Sequence, residues 1–440
     1  MSKKRRAHIV GAGINGLTIG YELARQGFEV ILLEKLAEVG GLARTFRYGD
    51  FSFDIGPHRF HTDIPRVSEF IKDALGDESI TIDRYSSVYL FDKYHKWPLR
   101  PSSLLRLPFG VLFHCALDLF NRRKFTTERF DDYIKSKYGE TLYRIFFHDY
   151  TVKYNWVHPS KLHATWASAS IDRAIIDKKA SMNSLWDTLK VTLMPHPVTT
   201  KFVYPKHGVD IFSRNLARKI EALGGRVRTE VQELELSSKK GRVDTITADG
   251  QRDDVDVLVW TAPLTLLADK LGLPKLNLRY LSLVAFNIEI DHKIDLNDQW
   301  IYFPSKDLTI SRASFPDNFS PHMVPEGKGS VCAEITSLGP ADLKYAESNL
   351  DNIIADLEKV GMCKKGAILN VHKELVDNTY PLYELGYIHE KERMHEALRA
   401  FPNIHLGGRT GMFWYNNMDN SIEQGLQLAD ELVSNGEQRT

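Results

Sequence analysis

Two stretches near the start of the chain carry residue types and spacings that could do chemistry. The first is Gly11-x-Gly13-x-x-Gly16, which directly follows the apolar run His8-Ile9-Val10; a second apolar run, Phe28 to Leu33, then ends on Glu34. Between a strand and a helix these glycines have separate uses: a tight turn, close approach of a pyrophosphate to the backbone, and packing of helix on strand. The N–H groups and positive dipole end of the helix would face the phosphates. Glu34 would accept hydrogen bonds from a ribose diol and repel a 2′-phosphate. The second stretch runs from Gly40-Gly41 and Arg44-Thr45 to Gly56-Pro57-His58-Arg59-Phe60-His61-Thr62. An ordinary βαβ turn with a surface Glu would carry the same glycines. Context favours a dinucleotide site: strand before, helix after, and an acid closing the next strand.

These residues need a scaffold. At 440 residues the chain exceeds what one hydrophobic core usually supports, so two or three domains are expected. Lys+Arg equals Asp+Glu at 57 each, which removes the net field that would draw the protein to nucleic acid or an anionic membrane. The basic run Lys3-Lys4-Arg5-Arg6 reads as a solvated tail. Cys115, Cys332 and Cys363 form no CxxC pair and no even framework, which points to a reducing compartment, the cytoplasm by default, and to no metal site. No signal peptide precedes the first strand. The most apolar stretch, Leu104 to Phe120, is interrupted by Arg106, Pro108, His114 and Asp118, so no transmembrane segment is expected.

Taken in order, Val67 to Leu75 reads as a helix, Tyr85 to Phe91 as β-forming, and Lys93 to Pro98 as a hairpin or loop. From Pro101 to about Leu193 apolar residues recur at helical spacing, with Tyr143, Phe146, Phe147, Tyr150, Tyr154 and Trp156 either filling a core or stacking on a ligand base. A helix follows from Ile211 to Leu223, a strand from Arg226 to Leu236, and a buried strand ending at a loop over Val257 to Pro263. Leu281 to Ile290 and Gly329 to Ile335 read as a second sheet, with Trp300 to Phe303 and Leu308 to Ser311 as short strands and Asp351 to Val360 as a helix. The chain closes with a strand at Ile404 to Leu406, Gly407-Gly408-Arg409, and a helix from about Ser421. The nucleotide-binding pieces thus come from the start, middle and end of the chain. The expected fold is α/β: a discontinuous Rossmann-like domain (1–95, 200–265 and 395–440), a helical insertion (96–199) and a mixed β-sheet substrate domain (266–394).

Further motifs extend the pattern: Gly139-Glu140-x-Leu142-Tyr143, Tyr150-Thr151-x-Lys153, Tyr204-Pro205-x-x-Gly208, Thr261-Ala262-Pro263, Pro381-Leu382-Tyr383, and Gly407-Gly408-Arg409 followed by Tyr415 and Met418. With these in place the chain resembles flavoproteins of the amine oxidase and protoporphyrinogen oxidase superfamily. It resembles more closely the UDP-galactopyranose mutases, whose Gly-x-His-x-Phe-His-Thr element is similar to Gly56–Thr62. The resemblance implies a FAD domain, a helical domain and a six-stranded mixed sheet. It also implies FAD active in its reduced form, with NAD(P)H as candidate reductant and a homodimer as candidate assembly. The ligand would be a nucleotide-diphosphate sugar, isomerised between ring forms through flavin N5 without net redox change. By the same resemblance FAD would meet Gly11, Gly13, Asn15, Gly16, Glu34, Lys35, Gly41, Leu42, Arg44, His58, Val231, Gly408, Arg409, Asn417 and Met418. The substrate would meet Tyr154, Asn155, Trp156, Arg173, Arg312, Tyr383, Arg409 and Tyr415. His61 would be the histidine beside the flavin, and Arg312 and Arg409 would neutralise the diphosphate. Physically, a departing diphosphate accumulates negative charge that two forked guanidiniums can hold.

The chain departs from the mutase pattern in places. Asn155-Trp156 stands where the mutases have Trp-Gly, Asn417-Met418-Asp419 where they carry Asp before Met, and the stretch near Arg173 does not align cleanly. These positions surround the sugar and base pockets, so a nucleotide sugar related to UDP-galactose is the expectation. Two other readings compete. A flavin oxidase or desaturase of the same superfamily would need an apolar tunnel, which Leu104 to Phe120 could line, and the arginines favour an anionic substrate instead. A flavin-free escort protein that binds prenylated partners would have no use for the intact glycine loop, Glu34 and Gly408-Arg409.

Overall fold

The computed structural model describes residues 4–97, 107–120, 126–167 and 201–437. Arg6–Val10 is buried on both faces after its first residue, as a central parallel strand must be. It pairs in parallel with Glu29–Leu33 on one side and Val257–Trp260 on the other. The completed five-stranded sheet runs Ile404–Leu406, Val257–Trp260, Arg6–Val10, Glu29–Leu33, Arg226–Arg228, all parallel. The helix Ile14–Arg25 packs against Asp210–Ala222 and Met418–Glu437. Their apolar faces meet the sheet in one core around Ile9, Leu17, Leu32, Phe212, Val259 and Ile422. The discontinuity expected from the sequence is therefore physical: strands from the start, middle and end of the chain share one sheet.

A second sheet has seven strands, one more than the resemblance implied. Its order is Ile368–Pro381, Tyr280–Ile290, Gly329–Leu338, Arg312–Ser314, Trp300–Tyr302, Ser86–Leu90, Lys93–Lys96. Only the contact between Trp300–Tyr302 and Ser86–Leu90 is parallel. Residues 86–95, expected with the first unit, and Lys96, expected with the helical insertion, form two strands of this sheet. Alternation assigns the two faces. Val284, Phe286, Ile288, Val331, Ala333 and Ile335 pack in one core with Ile353 and Leu357 of the helix Leu343–Lys359. The opposite face carries the polar positions that build the site.

Three local differences have identifiable causes. The expected strand Leu308 to Ser311 is a loop, because the carbonyls of Phe303, Ser305, Leu308 and Ile310 turn to Lys153 Nζ at 2.7, 2.8, 3.0 and 2.8 Å. The stretch Arg226 to Leu236 divides into Arg226–Arg228 of the parallel sheet and Leu234–Lys239 of a separate three-stranded sheet. It breaks at Glu230, whose φ is +60°. The helix expected at Asp351 begins earlier, at Leu343, capped by Asp342 accepting from the Tyr345 N–H. In the helical segment Phe130–Tyr138 is followed by a π-helical turn, Tyr143–His148, that runs into Asp149–Asn155. Arg173, and the rest of 168–200, lies outside the described residues. Among the described residues no helix is long and apolar enough to cross a membrane.

Candidate active site

The phosphate-loop glycines separate into two kinds by what a side chain would meet. A Cβ on Gly11 would lie 2.3 Å from Thr261 Oγ1, and one on Gly16 would lie 2.1 Å from the Gly11 carbonyl oxygen. The protein's own packing requires those two. At Gly13 a Cβ would meet nothing nearer than 3.9 Å, the Gly41 Cα, so no protein atom explains the glycine. The open side of Gly13, at the start of the helix Ile14–Arg25 and bridged to Gly40, has the form of a pyrophosphate cradle. Glu34 is fixed beside it: its carboxylate accepts from the Ala12 N–H at 2.8 Å and the Leu36 N–H at 3.0 Å. Each oxygen keeps a lone pair for a ribose hydroxyl. Val231 donates its N–H to the Glu34 carbonyl at 2.9 Å. Arg44 donates to the Gly41 carbonyl at 2.7 Å; burial lowers its pKa, with Glu34 opposing. These residues fit a dinucleotide such as FAD. Gly13, Gly41 and Arg44 would take the diphosphate and Glu34 the ribose, with Gly408, whose φ is +69°, turning past Asn15.

The polar face of the seven-stranded sheet supplies the second half. Cross-strand register places Tyr302 opposite Arg312, and Arg312 opposite Glu334. Arg312 binds Glu334 through Nε at 2.7 Å and Nη2 at 2.5 Å, and Nη2 also donates to the Tyr380 hydroxyl at 3.2 Å. Burial works against the Arg312 charge, yet the Glu334 carboxylate more than offsets it and holds the pKa well above its ordinary value. The loop at Gly56 lies directly against this pair, since a Cβ there would sit 2.9 Å from Arg312 Nη2. Next in that loop, His58 has a buried Nδ1 without a partner. Burial, then Arg409 and Arg312, lowers its pKa to about 3, so its imidazole is neutral. Among the described residues no carboxylate stands at ion-pair distance from Arg409. Its guanidinium donates to the Asn416 carbonyl at 2.5 Å and the Thr379 carbonyl at 3.4 Å, and lies over the rings of Tyr380 and Tyr415 at 5.5 and 5.2 Å.

The helical segment roofs this wall with aromatic side chains. Tyr154 meets Tyr380 at 5.5 Å, Trp166 meets Tyr415 at 5.3 Å, and Tyr150 meets Tyr302 at 6.3 Å. Burial raises the phenols of Tyr150 and Tyr154 well above their ordinary value and that of Tyr415 to about 12, so all are hydrogen-bond donors at neutral pH.

Several expected residues gather here: Arg312, Arg409, Tyr154, Tyr415 and His58. Tyr383 stands just behind, accepting from the Tyr415 N–H at 2.8 Å while stacked on Tyr387 at 4.4 Å. Other expected residues fall elsewhere. His61, the expected catalytic histidine, is exposed, with Nδ1 3.3 Å from the Lys201 carbonyl. The pairing of Phe60 with Val203 turns it away, and the histidine against the arginines is His58. Trp156 caps Asp149–Asn155 with φ +60°, half exposed, and donates to the Thr336 carbonyl at 2.9 Å. Asn155 is buried, its Oδ1 without a partner. Asn15 braces the last helix, donating to the Ser421 carbonyl at 2.8 Å. Asn417 is exposed just ahead of that helix, Met418 packs in the core below it, Leu42 packs near Ile55 and Leu283, and Lys35 is exposed. The sequence reading missed Glu334, Tyr380 and Asn416. Glu334 and Tyr380 act through Arg312, distant in the chain, and Asn416 acts through a backbone carbonyl, which no residue type reveals; Tyr380 and Asn416 each adjoin a motif, Pro381-Leu382-Tyr383 and Tyr415, and Glu334 adjoins none.

The family of flavin containing amine oxidoreductases matches residues 14–433. An L-amino-acid oxidase of Sistrurus catenatus edwardsii is 44% identical over 71 residues, 16% of this chain; the match spans only 14% of the oxidase's length. Among solved structures, a reduced UDP-galactopyranose mutase has a TM-score of 0.83 at 21% identity, over 98% of this chain and 96% of the mutase. A protein from Exiguobacterium sp. 255-15 described as a protoporphyrinogen oxidase reaches 0.75 at 17% identity, over 98% of this chain and 99% of its own. At these identities the two structures speak to the fold. The family match covers nearly the whole chain, from the phosphate loop to the last helix, and the chain therefore belongs to the flavin containing amine oxidoreductases.

Proposed function

We propose that the protein is a FAD-dependent mutase of nucleotide-diphosphate sugars, closing and reopening a sugar ring at the anomeric carbon. The observation that carries this reading is the chemistry of the wall opposite the cradle: Arg312, Arg409, Tyr380 and Tyr415 around one carboxylate, Glu334, already spent on Arg312. An amine substrate calls for unpaired acid, and an isoprenoid for an apolar tunnel. Guanidiniums and phenols suit a polyhydroxylated anion. Bound flavin in its reduced form would supply nucleophilic chemistry without net oxidation. The chain's own residues do the remainder. Arg409, and the Nη1 of Arg312 that lies outside the Glu334 pair, hold the leaving diphosphate. Tyr380 and Tyr415 donate to its oxygens, neutral His58 orients without titrating, and Tyr150, Tyr154 and Trp166 exclude water from above.

The test is a panel of nucleotide sugars offered anaerobically to enzyme reduced once with dithionite, and in parallel with NADPH or NADH. The expected product is an isomer of equal mass, formed over many turnovers per reduction. Consumption of one acceptor per product, with no isomer formed, would assign the site to the oxidase or desaturase chemistry also found in this family.

A further inference from the structure

Two more arginines stand on the same sheet face. Trp300 lies opposite Ser314 on one side and Ser86 on the other, with Tyr302 next on that face. Arg84, two residues before Ser86, places its guanidinium 5.3 Å from the centre of the Trp300 ring. Arg59, following His58, lies 4.7 Å from the same ring and 5.7 Å from that of Phe202. Two like charges thus share one indole.

Neither has a carboxylate at ion-pair distance among the described residues, whereas Arg47 pairs with Asp210 at 2.8 Å and Arg312 with Glu334 at 2.5 Å. Arg84 Nε is buried without a partner, and so are the Nε1 atoms of Trp300 and of Trp97, whose ring meets Tyr302 at 6.4 Å. Burial lowers the pKa of both arginines; the Arg84 charge lowers Arg59 further, to about 10, with Tyr302 and Asp419 opposing. Buried donors are almost always satisfied, and adjacent unpaired guanidiniums repel. One oxyanion would answer both conditions.

We propose that Arg59 and Arg84, stacked on Trp300, form a second anion subsite that takes a carboxylate or phosphoryl group carried by the substrate beyond its diphosphate. This rests on the nucleotide-sugar reading only for the identity of the rest of the ligand. It makes the preferred substrate an acidic sugar nucleotide.

The experiment is equilibrium titration of the flavin-loaded protein with UDP-glucose, UDP-glucuronate, free glucuronate and inorganic phosphate. The variants are Arg59→Met, Arg84→Met and Arg84→Lys; methionine keeps an apolar stem on Trp300. UDP-glucuronate is expected to bind wild type about tenfold or more tighter than UDP-glucose. In both methionine variants that ratio falls to about one with UDP-glucose affinity held, and lysine restores part of it. If the group is phosphoryl, phosphate binds wild type and not the methionine variants, and the uronate gains nothing. Equal affinities in wild type without Arg84-dependent phosphate binding, a ratio unchanged in the variants, or no binding of any probe overturns the subsite. Failure of both UDP ligands, with glucuronate or phosphate still bound through Arg84, overturns the nucleotide reading and keeps the subsite.

Discussion

Arg312 and Arg409 sit on one wall and differ in what neutralises them. Arg312→Ala leaves Glu334 buried without its partner, so a loss of about 3–5 kcal/mol of stability is expected by denaturant unfolding. Arg409→Ala orphans no acid among the described residues. It should weaken UDP binding by about 2–5 kcal/mol with a smaller change in stability, and Arg409→Lys should recover part of the binding. Unchanged UDP affinity in Arg409→Ala removes the clamp. Histidines set the pH response. His58 is lowered to about 3 by burial and the two arginines, and His8 to about 4 by burial, against an ordinary value of 6.5. Both stay neutral in the fold while the unfolded chain takes up protons, so each removes stability as the pH falls below 6.5. Asp54, raised to about 6 by burial from 3.8, stays protonated in the fold where the unfolded chain is ionised, and opposes one of them. For these three groups the net is one proton, and their joint contribution should fall by about 1.4 kcal/mol per pH unit between about pH 6 and 4. Replacing His58 and His8 by Gln should remove that part of the slope, and a urea-unfolding profile unchanged by the two substitutions would show that these histidines are not held neutral.

At the scale of elements, Lys153 joins the helical roof to the loop between Trp300–Tyr302 and Arg312–Ser314 of the seven-stranded sheet. Burial lowers its pKa to about 7, with Asp356 opposing, while four carbonyls within 3.0 Å hold the ammonium. Lys153→Met should strip four acceptors of their donor and lower stability by about 2–4 kcal/mol. It should also raise the KM for substrate more than it changes flavin content, because the roof and not the cradle is displaced. Flavin lost in proportion to activity would contradict that division. The phosphate loop gives a sharper contrast. Gly13→Ala adds a methyl that meets no protein atom within 3.9 Å, whereas Gly16→Ala drives one to 2.1 Å from the Gly11 carbonyl. Gly13→Ala is therefore expected to fold with wild-type stability when stripped of flavin and to bind FAD more weakly, while Gly16→Ala is expected to unfold at lower temperature with or without it. Wild-type FAD affinity in Gly13→Ala would remove the cradle assignment.

For the whole molecule, the cradle draws on the start of the chain at Gly13 and Glu34, the middle at Val231 and Thr261, and the end at Gly408. A ligand spanning these parts stabilises all of them together. FAD at about 100 times its Kd should raise the free energy of unfolding by about 2.7 kcal/mol, in a single cooperative transition. A calorimetric scan in which added FAD shifts only part of a split transition would show that the sheets unfold separately.

The turn at Gly11 to Gly16 and the acid beside it, Glu34, were legible in the sequence alone. Their constraints are local: a turn that must be tight, a strand buried on both faces, and an acid at the end of the next strand, all within Ile9 to Glu34. The sequence also marked Val257–Trp260 of that sheet, because a buried parallel strand reads as a continuous apolar run. Which residues line the arginine wall follows from tertiary contacts. His58 and His61 are three apart in one motif, and only the bridge from Phe60 to Val203 turns the first toward the arginines and the second to solvent. Leu308 to Ser311 has strand-like letters, and a lysine more than 150 positions earlier takes its carbonyls instead. Arg312 looked like one half of a clamp, and cross-strand register gave it Glu334. Such pairings depend on register between strands far apart in the chain, and a period-2 pattern fixes which face a residue takes without naming its partner.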